Sequence, residues 1–254
     1  MHRPPAPLTA ALALVVAGLG APAAGAASPD ELADVDAKAE YAFYTEDARA
    51  LASLVAQHAA LASGTQSLER YQYAHAQFRR LQLAFRQKKP KDAEAAGGEC
   101  LDTLAKLNDG DPRFVEGLVL EAACAGYVAA LGGLHGLGAE HRRDARLAQA
   151  KELAPRNPRV LLVEGLLRWY RGGAGGHAAA RPSFEAATRA FETVTAGEPG
   201  QPSWGEAEAW LYVGRALEEG GELLGARNAY EKSLLAAPEF AAARRHLQAV
   251  RAAR

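Results

Sequence analysis

The chain has 254 residues and a formal net charge of -1. Its length allows one or two domains, and near-neutrality excludes the general basic field on which nucleic-acid binding depends. Alanine dominates, β-branched residues are sparse and no alternating apolar–polar run is sustained, which points to an all-α fold.

Residues 1–26 read as a removable leader. His2 and Arg3 form a basic start, and Leu8 to Leu19 is an apolar run too short to span a bilayer. Ala24-Gly25-Ala26 meets the small-residue cleavage rule, so a signal peptide cut before Ala27 is expected. The cut chain would be exported, most simply to the periplasm, and would not be an integral membrane protein. No cysteine lies near residue 26, so a lipid-anchored start is not available.

Helical pairs follow. The first is expected near 30–44 and 46–62, with Glu46 and Asp47 signalling the second start. Leu68, Tyr71, Ala74, Phe78, Leu81 and Phe85 then recur at spacings of three or four and predict one long helix from Gln66 to Gln87. Lys88-Lys89-Pro90-Lys91 is a solvated basic turn. Asp92 to Leu107 returns as a helix, where Gly97-Gly98 either weakens it or admits a close neighbour. A third pair spans about 112–133 and 139–153, with a glycine-punctuated turn between them. Cys100 and Cys124 fall on consecutive antiparallel helices. An exported protein permits a disulfide there if the geometry allows it; otherwise Cys100 packs as a small core residue.

The fourth pair opens with Asn157-Pro158, a cap and first-turn proline. Val160 to Trp169 is apolar around most of its circumference, as in a helix held between neighbours. Ala187 and Phe191 belong to the partner helix, and about ten residues are inserted ahead of it. That glycine-rich insert contains Arg171, Gly172, Gly173, Gly175, Gly176 and His177, and reads as a loop or lid. Residues 200–203 are a linker to Trp204-Gly205. The last pair runs from Ala207 to Pro238, and a final helix, 239–253, sets Phe240, Ala243, Leu247 and Val250 against an arginine-rich face. That pattern suits a terminal capping helix.

The last pair carries a motif. Trp210-x2-Val213-Gly214-x2-Leu217, Ala226-x3-Tyr230 and Pro238 resemble the tetratricopeptide repeat (TPR). The match is clearest over 157–199 and 207–238. The resemblance implies a right-handed superhelical solenoid of antiparallel helix pairs over 27–254, ending in the capping helix. The glycine-rich break, the Phe191 helix and the Trp204-Gly205 entry also look like exported bacterial repeat proteins similar to the T component of TPR-associated tripartite transporters.

No nucleophile elbow, zincin helix or phosphate-binding glycine loop occurs. His135 and His141 are not on one helical face and have no third ligand, so no metal and no cofactor are expected. His58, His75 and His246 read as surface or boundary residues. No two carboxylates are seen sharing an apolar pocket, so the chain is expected not to be an enzyme. In the repeat fold the first helix of each pair lines the concave face. Arg159, Leu162, Leu166, Trp169, Tyr170, Leu211 and Arg215 would then form a groove for a protein or peptide partner; Trp169 and Tyr170 could instead be buried under the insert. The expected function is a non-catalytic scaffold in the cell envelope, and the alternative is a small-ligand or transport accessory protein with the insert as a lid.

Overall fold

A computed structural model describes residues 26–132, 136, 138–194 and 199–252. The expected signal peptide lies outside the described residues except for Ala26. Among the described residues there are 11 α-helices and no strand. They are α1 (Pro29–Tyr44), α2 (Ala48–Gln57), α3 (Ser67–Arg86), α4 (Pro90–Gly110), α5 (Val115–Leu131), α6 (Ala139–Leu153), α7 (Pro158–Arg171), α8 (Gly173–Phe191), α9 (Glu206–Glu219), α10 (Leu223–Ala236) and α11 (Ala241–Ala252). A short 3-10 helix, Ala59–Ser63, follows α2, so the helix expected over 46–62 tightens in its second half.

The helix starts are set by local chemistry. Ser28 and Glu31 form a reciprocal capping box on α1, and Asp47 accepts the Ala50 amide at 2.9 Å to cap α2. Asn157 accepts the amides of Arg159 and Val160, with Pro158 at the first helical position of α7. Sequential helices pack as antiparallel pairs: α3 with α4, α5 with α6, α7 with α8, and α9 with α10, each pair leaning on the next. This is an all-α helical solenoid.

The repeat glycines have a steric reason. A Cβ on Gly165 would lie 2.6 Å from the Phe184 ring, and one on Gly214 would overlap the Tyr230 ring. Phe184 and Tyr230 are fully buried, so neither ring can withdraw. Each aromatic of a second helix therefore seats on the glycine of its own first helix. The cysteines on α4 and α5 are joined as a disulfide, Cys100–Cys124, with Cα atoms 6.5 Å apart. The bond ties two consecutive repeats together.

The solenoid closes on itself. The chain entering α9 and the start of α9 meet α1 and α3: Trp204 Nε1 donates to the Tyr71 hydroxyl at 2.7 Å, and Gln72 donates to the Gly200 carbonyl at 2.8 Å. The capping helix joins this contact. Phe240, just before α11, lies 4.6 Å from Tyr44 between ring centroids, and Arg245 is paired with Glu46. The arginines of α11 are thus engaged locally, Arg244 on the Pro238 carbonyl and Arg251 on Glu231. Arg254 lies outside the described residues.

Two glycine substitutions should act with opposite sign. Gly98 has open space around its Cα on an exposed helix face, so Gly98→Ala should stabilise the fold by about 0.5–1 kcal/mol. Gly214→Ala should destabilise it by about 1–2 kcal/mol, because overpacking against Tyr230 outweighs the same propensity gain. Urea midpoints of the two variants measure the difference.

Candidate functional site

The interior is organised by a buried charge cluster. Asp36 and Glu40 are four apart on α1, and His75 and Arg79 are four apart on α3, so each pair shares one helical face. The His75 ring sits between the two carboxylates, with Nδ1 3.1 Å from Asp36 and Nε2 3.2 Å from Glu40. Arg79 donates to Glu40 at 2.5 and 2.7 Å, to Glu208 of α9 at 2.5 Å, and to Gln82 at 2.8 Å. Its guanidinium lies 4.1 Å above the Phe43 ring. Tyr44 donates to Glu208 at 2.8 Å, and Ser203 donates to Asp36. Three carboxylates therefore face one guanidinium and one imidazole. Burial alone would lower the His75 pKa, but the Asp36 and Glu40 carboxylates on either side of the ring outweigh burial and raise it. Burial alone would raise the Glu40 pKa, but Arg79 and His75 outweigh it and hold it at about 2.

Two sequence expectations are corrected here. His75 is fully buried rather than a surface or boundary residue, and carboxylates do pair inside the core. A complementary i,i+4 pattern of acids on α1 and bases on α3 was the available signal. It reads as two solvated faces until the helices are known to meet.

The groove residues divide. Leu162, Leu166, Tyr170 and Leu211 do face a common interior, together with Phe43, Gln82, Arg86, Tyr127, Glu208, Tyr212 and Phe240. That interior is not an open concave face, because α1 and α3 fill most of it and leave only about 50 Å³. Arg159 is buried and donates to the carbonyls of Trp204 at 2.9 Å and Pro202 at 2.5 Å, with Glu116 3.3 Å away. It anchors the chain entering α9 and faces no partner surface. Trp169 is 1% exposed, stacked on His177 at 3.9 Å between centroids and roofed by Arg215 at 4.9 Å. Tyr170 is 56% exposed, its hydroxyl 2.5 Å from that of Tyr212. Burial under the insert therefore describes Trp169 and not Tyr170.

The insert is helical rather than a loop. Arg171 ends α7, Gly172 links, and Gly173, Gly175, Gly176 and His177 form the first turns of α8. The reason is steric: a Cβ on Gly176 would lie 2.6 Å from the Arg168 carbonyl, and one on Gly172 would collide with the Gly176 backbone. The glycines allow a reversal from one helix directly into the next. His177 is fixed by Trp169 and by Glu219 at 2.6 Å.

A larger cavity of about 480 Å³ lies between α5, α6 and α7. Its walls are Phe85, Ala123, Gly126, Tyr127, Ala129, Ala130, Val163, Leu166, Leu167 and Tyr170, with Glu140, Arg143 and Arg171 at the polar side. The small residues of α5 leave the room. Asp144 positions the cations, accepting from Arg143 at 2.9 Å and from Arg171 at 2.5 Å. Burial raises the Tyr127 and Tyr212 pKa values, so both phenols stay protonated. Tyr127, Leu166 and Tyr170 also line the smaller interior space, so one wall serves both. Leu166, Tyr170 and Arg171 are singled out by the sequence, for a groove and a loop or lid; Phe85, Tyr127 and Arg143 are not read there as site residues. Among the described residues no cluster of three or more metal-ligating side chains occurs, and no helix is long and apolar enough to cross a membrane. His135 lies outside the described residues.

No protein-family model and no curated protein matches the chain in sequence. Solved structures resemble it in fold, two of them as follows. The HusA haemophore from Porphyromonas gingivalis aligns with a TM-score of 0.62 at 20% identity, over 77% of this chain and 96% of that one. A thermophilic TPR protein from Thermus thermophilus aligns with a TM-score of 0.53 at 18% identity, over 88% and 97%. The likeness establishes the TPR-like helical fold.

The charge cluster makes stability depend on Arg79 and on pH. Arg79→Met leaves Glu40 and Glu208 buried without their counter-charge and should cost about 3–5 kcal/mol in a denaturant titration. Glu40 contributes fully above its ordinary value of 4.5 and less as pH falls toward about 2. His75 contributes fully below its ordinary value of 6.5 and less as pH rises through its raised one. The melting temperature should therefore be highest between these two values. His75→Gln should flatten the alkaline limb and leave the acid limb in place.

Proposed function

We propose that this chain is a non-catalytic binding protein of the cell envelope. In this reading it is exported by its leader to the periplasm and takes up one small ligand in the cavity between α5, α6 and α7. The observation that carries this reading is the cavity itself. Its volume of about 480 Å³ falls in the range of small-molecule sites, while α1 and α3 occupy the interior face that a peptide would otherwise use. The ligand chemistry follows from the walls. Aromatic rings from three helices, Phe85, Tyr127 and Tyr170, suit a broad, flat apolar body. Arg143 and Arg171 suit an acidic group at its edge. One neighbour in fold is a haemophore, which makes a haem-sized tetrapyrrole the first ligand to test. The same site would serve an accessory protein of solute transport.

A protein-interaction scaffold is the second reading. The TPR-like architecture supports it, and so do Leu224 and Leu235 of α10, which are 67% and 82% exposed. In that case the docking surface is the outside of the solenoid.

Titration of the chain with haem, and separately with a long-chain fatty acid, should raise the melting temperature for one of them. Ala130 lines the cavity and is exposed, so Ala130→Trp should fill the space without disturbing the core. We expect it to weaken binding at least ~10-fold, about 1.4 kcal/mol, with unchanged circular dichroism. Equal affinity in the variant, or no shift with either ligand, would count against this site.

A further inference from the structure

Glu69 is a buried carboxylate without a counter-charge. It lies in the first turn of α3 and is 4% exposed. Among the described residues no lysine, arginine or histidine side chain pairs with it. Its two oxygens accept only backbone amides: Oε2 takes that of Gln66 at 2.9 Å and Oε1 takes that of Ala27 at 2.7 Å. The Gln66 contact is a helix cap. The Ala27 contact is not, since it comes from 42 residues away.

Burying an ionised carboxylate against neutral donors alone is costly, and a cationic partner removes that cost. The sequence supplies one. The small-residue rule sets the expected cut at the bond before Ala27, and the nitrogen released by that cut is the atom already facing Glu69. We propose that the Ala26–Ala27 peptide bond is the processing site of this chain, and that Glu69 is the receptor for the α-ammonium group that cleavage creates. The proposal rests on the export reading above. The reaction is hydrolysis by an envelope endopeptidase. Water adds to the Ala26 carbonyl carbon, the C–N bond breaks, Ala26 leaves as a carboxylate, and Ala27 keeps the protons as an ammonium. Ammonium and Glu69 then form a partly buried ion pair that fastens the start of α1 to α3. A cut one residue away would move the charge by about 3.8 Å, out of this contact.

Two measurements test it. The full chain is expressed in a Gram-negative host, and the first residue of the envelope form is read by intact mass and N-terminal sequencing. Separately, forms starting at Ala27 or at Ala26 are released from a removable fusion tag, and the acylation rate of the α-amine is measured near pH 8. The expected results are a first residue of Ala27 and an amine that reacts about ten-fold more slowly than in Glu69→Gln. The form starting at Ala26 should react at the rate of the variant. Glutamine retains one acceptor for the Gln66 cap, so the variant should fold, and circular dichroism checks this. An exported chain that begins elsewhere would overturn the processing site and leave export standing. Equal acylation rates in the Ala27 form and Glu69→Gln would overturn the receptor role. A chain that remains uncut in the cytoplasm would overturn the export reading and the processing site with it, while the acylation result still decides what Glu69 does.

Discussion

The guanidinium of Arg79 is the interaction on which the closed form of the molecule depends. It is wholly buried, it lies on α3, and it bonds at once to Glu40 of α1 and Glu208 of α9. A buried charge of this kind is not a source of large net stability, since desolvation offsets much of its attraction. Its effect is positional. Removing Arg79 would leave Glu40 and Glu208 facing each other without their shared cation, so α1, α3 and α9 are held to one mutual arrangement. A stack of helix pairs held only by nearest neighbours would have no such requirement. Here the first helices and the last repeat are joined across the interior.

That closure decides which surfaces are available. The inner faces of α7 and α9 still point inward, as repeat architecture demands, but they meet Phe43, Gln82 and Arg86 of the same chain. A gap between α5, α6 and α7 stays open, where alanine and glycine on α5 leave room that the large residues of α7 do not fill. The cavity is therefore a by-product of uneven side-chain size between two stacked repeats. Tyr170 and Leu166 belong to both spaces, so the charge-anchored interior and the cavity share a wall.

The glycines illustrate how one residue type does different work. Gly165 and Gly214 admit an aromatic ring from the partner helix. Gly172 and Gly176 let α7 turn straight into α8. In sequence Gly214 reads as a repeat position from the Trp210-x2-Val213-Gly214-x2-Leu217 motif, whereas the ring that seats on Gly165 is Phe184 and not the Phe191 of the repeat pattern. The second two read as a loop, because a glycine cluster has low helix propensity. Packing against Trp169, together with the His177 contact to Glu219, overrides that propensity.

The helices, their order and their pairing were legible in the sequence, because apolar spacing, caps and prolines act over a few residues. The inward register of Leu162, Leu166 and Leu211 was legible for the same reason, since the repeat pattern assigns each helix a face. The joining of Cys100 to Cys124 was legible only as a possibility, because geometry across a helix pair settles it. What tertiary structure alone decided is which inward faces meet each other. Asp36 and Glu40 look like surface acids, and His75 and Arg79 like surface bases, until α1 and α3 are brought against α9. Burial turns those four side chains from solvated charges into a clamp. Burial also makes Arg159 an anchor, hides Trp169, and leaves the space beside Tyr127 as a cavity. A local pattern specifies a helix and its face; only the closing of the chain on itself specifies what that face touches.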